Sequence, residues 1–348
     1  MAPLNPLRLL VLGSLLTASL ATPLERRLDD PEDDDTPLPL VIWHGRRFIN
    51  RPRASIADST PTGLGDSFNG DGIRNVAELA DEVNPGTYVY TARIDDNASR
   101  DRYFSFVGNV TEQVAKVCAD IAAHPILSTA PAIDALGFSQ GGQFLRAYVQ
   151  RCNKPPVRSL ITFGSQHNGI SAFRDCSTTD LVCRIAMAVL KGDAWTDTVQ
   201  RSLVPAQYYR NPAEYEQYLE HSNFLADINN ERAAKNEQYK ANIVALDNFV
   251  MYMFEDDTTV IPKETAWFEE VNGTESTPLR ARKLYSEDWI GLRALDRKGG
   301  LKFRTAPGDH MQLSNELLKE AFGDFYGPLN LHRGRSEPRP RTGGGDDL

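Results

Sequence analysis

The feature that most narrows the folds open to this chain is Gly137-Phe138-Ser139-Gln140-Gly141, taken with its flanks. Ala132-Ile133-Asp134-Ala135-Leu136 is a short apolar run just before it. Just after it, Phe144, Leu145, Tyr148 and Val149 recur at helical spacing. A strand that turns at once into a helix, lifting a serine above a sheet, needs small residues two places either side of that serine. The pattern predicts a nucleophile elbow with Ser139 at its apex.

The rest of the middle keeps the same rhythm. Residues 40–43, 87–90, 160–163, 249–254 and 301–304 read as strands, and Val114, Val117, Cys118 and Ile121 mark a helix between two of them. Strands alternating with helices predict an α/β fold, with a mostly parallel central sheet covered by helices on both faces. Residues 169–241 break the rhythm. They are helix-rich and too many for one crossover, so a helical cap insertion is expected there.

A serine hydroxyl needs a base to take its proton, and in an elbow fold the order along the chain is serine, acid, histidine. Of the six histidines, His310 stands in Gly308-Asp309-His310, just past the last strand, where a base should be delivered. His221 lies in a polar helical stretch, His167 is too near Ser139 in sequence, and His332 borders the tail. The acid should end the strand before, at Glu255-Asp256-Asp257. Asp257 opens a D-x-x-V-x-P turn and is the choice, with Asp256 its rival. It would hold the His310 tautomer and stabilise the imidazolium. An oxyanion hole needs backbone N–H donors. One is Gln140, the residue after the nucleophile. The other should follow the first strand, where His44-Gly45 is separated from Gly63-Leu64-Gly65-Asp66 by an arginine-rich stretch.

The ends carry no chemistry. Residues 1–21 have a basic start, a short apolar run and a small-x-small site at Ser19-Leu20-Ala21, and read as a secretory signal peptide. Residues 22–38 are an acidic, disordered linker, and 332–348 an Arg-, Pro- and Gly-rich disordered tail, leaving 39–331 as the folded domain. A formal charge of −9 argues against nucleic acid as a partner. Behind a signal peptide, the four cysteines Cys118, Cys152, Cys176 and Cys183 imply disulfides in one of three connectivities. They form no CxxC and no histidines cluster near them, so no metal is expected. Asn97, Asn109 and Asn272 open glycosylation sequons.

Pro39-Leu40-Val41-Ile42-Trp43-His44-Gly45, Gly137 through Arg146, Gln166-His167, Phe224-Leu225-Ala226-Asp227-Ile228-Asn229 and Gly308-Asp309-His310 resemble the lysosomal palmitoyl-protein thioesterase family. The resemblance covers residues 39–331. It implies an α/β-hydrolase fold whose helical insertion forms an acyl groove, and a Ser139, Asp257, His310 triad. It also implies pairing of Cys118 with Cys152 and of Cys176 with Cys183. It implies hydrolysis of fatty acyl thioesters on S-palmitoylated proteins or peptides, in the lysosome, vacuole or secreted space. The enzyme would need no cofactor and work as a monomer. Family members run from His-Gly through a hydrophobic residue to Gly-Asp without a break. Here residues 46–63 intervene, as a surface loop or as translated intron. Leu64 is the second oxyanion donor if the chain joins without them, and Arg46 takes that place if they are genuine. A lipase or esterase acting on oxygen esters uses the same residues, and an inactive lipid-binding relative would keep the fold.

Overall fold

The computed structural model describes residues 35–45, 67–172 and 192–330. Six strands form one sheet in the order β2-β1-β3-β4-β5-β8. They are β1 (Leu40–Trp43), β2 (Val89–Ala92), β3 (Ile133–Phe138), β4 (Val157–Phe163), β5 (Asn248–Phe254) and β8 (Leu301–Ala306). Every pairing is parallel. The two-stranded hairpin of β6 (Glu270–Asn272) and β7 (Glu275–Thr277) stands apart.

Both faces of the sheet are buried, which is why its strands read as continuous apolar runs rather than alternating ones. Alternate residues still serve different layers. Leu40, Ile42, Leu136, Phe138, Ile161, Phe163 and Val250 pack with Ile73, Val76 and Leu79 of α1 (Asp71–Val83) and with Leu318 and Phe322 of the C-terminal helix Asn315–Phe325. Val41, Trp43, Ala135, Leu160 and Phe249 face the other way. They meet Val114, Val117 and Ile121 of α3 (Val110–Ala123) and Phe144, Leu145 and Tyr148 of α4 (Gln140–Arg151). The expected strands are all present. The second lies two residues later than read, because Tyr90 and Ala92, not Tyr88, are its buried positions.

Cys118 of α3 is bonded to Cys152 at the end of α4, with the Cα atoms 6.1 Å apart. This is one of the two expected bridges. Cys176 and Cys183 lie outside the described residues, as do residues 1–34, 46–66 and the tail. Between β4 and β5 the described chain includes the α-helices Asp197–Ser202, Tyr215–His221, Leu225–Ile228 and Glu237–Ala245. Val204, Tyr208, Tyr218, Phe224 and Leu225 enter the same core layer as α3 and α4. No helix among the described residues is long and apolar enough to cross a membrane.

Several of the quoted motifs converge on one buried side chain. Arg146 of α4 donates through Nη1 to the Ile228 carbonyl at 3.0 Å. Through Nη2 it donates to the His167 carbonyl at 3.2 Å and to Asn229 Oδ1 at 2.9 Å. Burial pushes its guanidinium down to about 9. A buried cation without a direct carboxylate is retained only where carbonyl dipoles surround it, so these segments must stay together.

At the opposite end of the sheet, Arg158 grips Asp134 through Nε and Nη2, and Leu38 donates its N–H to the Gly327 carbonyl at 3.1 Å. Burial, opposed by the Arg158 charge, pushes the Asp134 carboxyl from 3.8 up to about 7. A folded value above the unfolded one contributes stability that is complete below the unfolded value and is lost as pH rises through the folded one. Denaturant unfolding should therefore show wild type losing stability relative to Asp134→Asn as pH rises from about 4 to about 7. A constant difference between the two across that window would refute the assignment.

Candidate active site

Ser139 sits where β3 gives way to α4, with φ 52° and ψ −125°. A non-glycine residue rarely takes a positive φ and does so at a cost of order 1–3 kcal/mol. The cost is borne because the turn is packed on every side. A Cβ on Gly141 would strike the Trp43 and His44 carbonyl oxygens. One on Gly45 would strike the Phe138 carbonyl and come within 2.7 Å of Ser139 Cβ. The chain leaving β1 therefore runs in backbone contact with the nucleophile turn. Ser139 also lies beside the switch point of the sheet, between β1 and β3, where crevices open at the carboxyl ends of parallel strands.

The expected residues come together. His310 Nε2 is 3.0 Å from Ser139 Oγ, and His310 Nδ1 is 2.8 Å from Asp257 Oδ2. The side chains of His310 and Asp257 are 4% and 2% exposed, so the contact between them is shielded from water. The other Asp257 oxygen accepts the N–H groups of Thr259 and Val260 at 2.8 Å each. That fixes the carboxylate, whereas its rival Asp256 is exposed and has its N–H bound to the Gly308 carbonyl. His221 is partly exposed beside Glu220. His167 is fully buried against Thr162 and Phe268, and burial, aided by the Arg146 charge, drives its imidazole well below the ordinary range.

Gln140 opens α4, so its N–H belongs to the helix's unsatisfied first turn and to its positive end. Its side chain is tied down. Nε2 donates to the Ser105 carbonyl at 3.0 Å, and Oε1 accepts from the Tyr208 hydroxyl at 3.2 Å. Leu64, the other expected donor, lies outside the described residues. The arrangement suits attack by a hydroxyl on a carbonyl carbon, with the proton passing to an imidazole held by a carboxylate. Among the described residues no group of three or more His, Cys, Asp or Glu is placed to hold a metal.

One pair escaped the sequence reading. His44 Nε2 and the Phe68 N–H both hydrogen-bond to Oδ2 of Asp101, at 2.8 and 3.0 Å. The chain on either side of residues 46–66 is thereby brought to one oxygen. Without residues 46–63, Gly45, Leu64, Gly65, Asp66 and Ser67 would join His44 to Phe68. Five extended residues reach about 17 Å, ample for the gap. Deleting residues 46–63 is expected to raise the hydrolytic rate, by about a hundred- to a thousandfold, the cost of one missing oxyanion donor. Steady-state kinetics on both forms test this. Equal rates, with the longer form verified by intact mass, would make the segment a tolerated loop.

The family model described as palmitoyl protein thioesterase matches residues 39–310. Palmitoyl-protein thioesterase 1 of Caenorhabditis elegans is 34% identical over 294 residues, covering 82% of this chain and 92% of that protein. Palmitoyl-protein thioesterase 3 of Dictyostelium discoideum is 37% identical over 235 residues, covering 66% of this chain and 77% of its own length. The human lysosomal thioesterase PPT2 is 24% identical over 235 residues, covering 66% and 74%. With Ser139, His310 and Asp257 in hydrogen-bonded sequence and a match of this extent, the chain belongs to the palmitoyl protein thioesterase family.

Proposed function

We propose that this enzyme hydrolyses long-chain fatty acyl thioesters, releasing palmitate from S-acylated cysteine in proteins or peptides. The observation that carries the reading is the continuous contact from Ser139 Oγ through His310 to Asp257, at 3.0 and 2.8 Å. Ser139 Oγ attacks the thioester carbonyl while His310 Nε2 takes its proton. The Gln140 N–H donates to the negative oxygen, and that of Leu64 joins it where residues 46–63 are absent. The cysteine thiol then leaves with a proton from His310. Its ordinary pKa near 8.5 makes that departure less demanding than the expulsion of an amine. Water, deprotonated by His310, attacks the acyl-serine and frees the fatty acid. The names of the relatives point to the same substrate class.

The chain is proposed to travel the secretory pathway to a lysosome, vacuole or the outside, with residues 1–21 as its address. A disulfide between Cys118 and Cys152 suits an oxidising compartment. Asn97 and Asn109 cap their helices through side-chain oxygens, and Asn272 is exposed at a hairpin turn, so these sequons are offered as glycan sites. The functional test compares palmitoyl thioester with the matching oxygen ester. A larger kcat/KM on the thioester is expected. Preference for the oxygen ester would make the protein an esterase or lipase, and lipid binding without turnover would make it a non-catalytic relative.

A further inference from the structure

Helix α2 (Ala98–Phe104) contributes no reacting group, yet both walls of the nucleophile turn are fastened to it. Its Asp101 is 1% exposed. Oδ2 takes the His44 ring nitrogen and the Phe68 amide, and Oδ1 takes the Ile94 amide at 2.7 Å. Burial works to raise this carboxyl, but the His44 hydrogen bond and charge, with the two amides, outweigh it and hold it below the ordinary range. One helical turn later the Ser105 carbonyl accepts from the Gln140 side chain. One wall is thus the His44-Gly45 backbone pressed against Ser139. The other is the start of α4, which carries the Gln140 N–H.

We propose that α2 is a brace that sets the spacing between the Gln140 N–H and the His44-Gly45 backbone across the oxyanion site, with Asp101 as its positioning residue. The proposal rests on the acyl-transfer reading above. A carboxylate fully committed to buried donors is a rigid anchor, because releasing any one of them leaves an unpaired buried group. Asp101 lies in α2 and Ser105 caps its C-terminal end, so movement of one wall relative to the other must strain α2. The spacing matters because an error of about 1 Å in a reacting geometry costs on the order of a hundredfold in rate.

The test uses the full chain and two substitutions, Asp101→Asn and Gln140→Met. Asp101→Asn turns an amide NH2 toward groups that are themselves donors, and Gln140→Met cuts the other tie while keeping the backbone N–H. Each variant is assayed with a palmitoyl thioester. Each is then bound to a long-chain trifluoromethyl ketone, whose adduct with Ser139 places an oxyanion in the hole, and to an unreactive thioether of the same chain. In both variants kcat is expected to fall about ten- to a hundredfold with KM little changed. Ketone affinity should weaken by the same factor, and thioether affinity should hold. A merely structural role would weaken ketone and thioether alike, or leave both intact in folded protein, and either result overturns the brace. If Asp101→Asn does not fold, Gln140→Met alone decides. Failure of wild type to turn over any thioester would sink the functional reading, while the ketone-to-thioether comparison would still judge the brace.

Discussion

Replacing Ser139 with alanine is expected to lower thioester turnover by about a million-fold while leaving the fold intact. Losses of that size follow removal of a nucleophile whose partners act only through it. Here His310 and Asp257 act on the thioester carbonyl through Ser139 Oγ. The fold should persist because the change deletes one hydroxyl. The Ser139 side chain caps no helix, and the turn is held by the backbone contacts of Gly45 and Gly141. Mass spectrometry of the variant with a thioester substrate should find no acyl adduct, and its thermal unfolding should track wild type. An adduct on the alanine variant would remove Ser139 from the mechanism.

The second large effect concerns Asp257. Asp257→Asn is expected to cost on the order of ten thousandfold in kcat. The amide has one acceptor oxygen where the carboxylate has two. That oxygen can satisfy the Thr259 and Val260 amides or the His310 ring, not both groups. If it stays with the amides, the NH2 faces His310 Nδ1, forces the proton onto Nε2 and leaves no base toward Ser139 Oγ. KM should move little, because Asp257 reaches the substrate only through His310. Asp256→Asn is the matched control and should retain most activity, its side chain being exposed. Equal losses in both variants would show that general acidity at this corner matters, not the contact to His310.

Much of this site is legible in the sequence. The elbow declared itself because glycines flank a serine between an apolar strand and an amphipathic helix, a local pattern. His310 followed from chain order, and Asp257 was separated from Asp256 only by the turn it opens. Asp101 was illegible for the opposite reason. It lies among Asp95, Asp96, Arg100 and Arg102, a stretch that reads as a solvated charged surface, and only long-range packing takes its carboxylate out of water. Asp134 hid within an apolar strand, because its partner Arg158 comes from the next strand of the sheet. Local spacing reports periodicity and turns. It does not report which of several like charges the fold chooses to bury.

The meeting of Leu38 with Gly327 has a practical reach. The two ends of the folded domain close on each other at the amino-terminal edge of the sheet, with Ser139 at the carboxyl edge. Domains with adjoining ends tolerate circular permutation. A short linker from Pro328 to Pro37, with new termini cut at the exposed Asn272-Gly273 turn, should give a rearranged gene whose product still assembles the serine, imidazole and carboxylate. A label or immobilisation tether attached at Pro37 or Pro328 would likewise start from the side away from the chemistry.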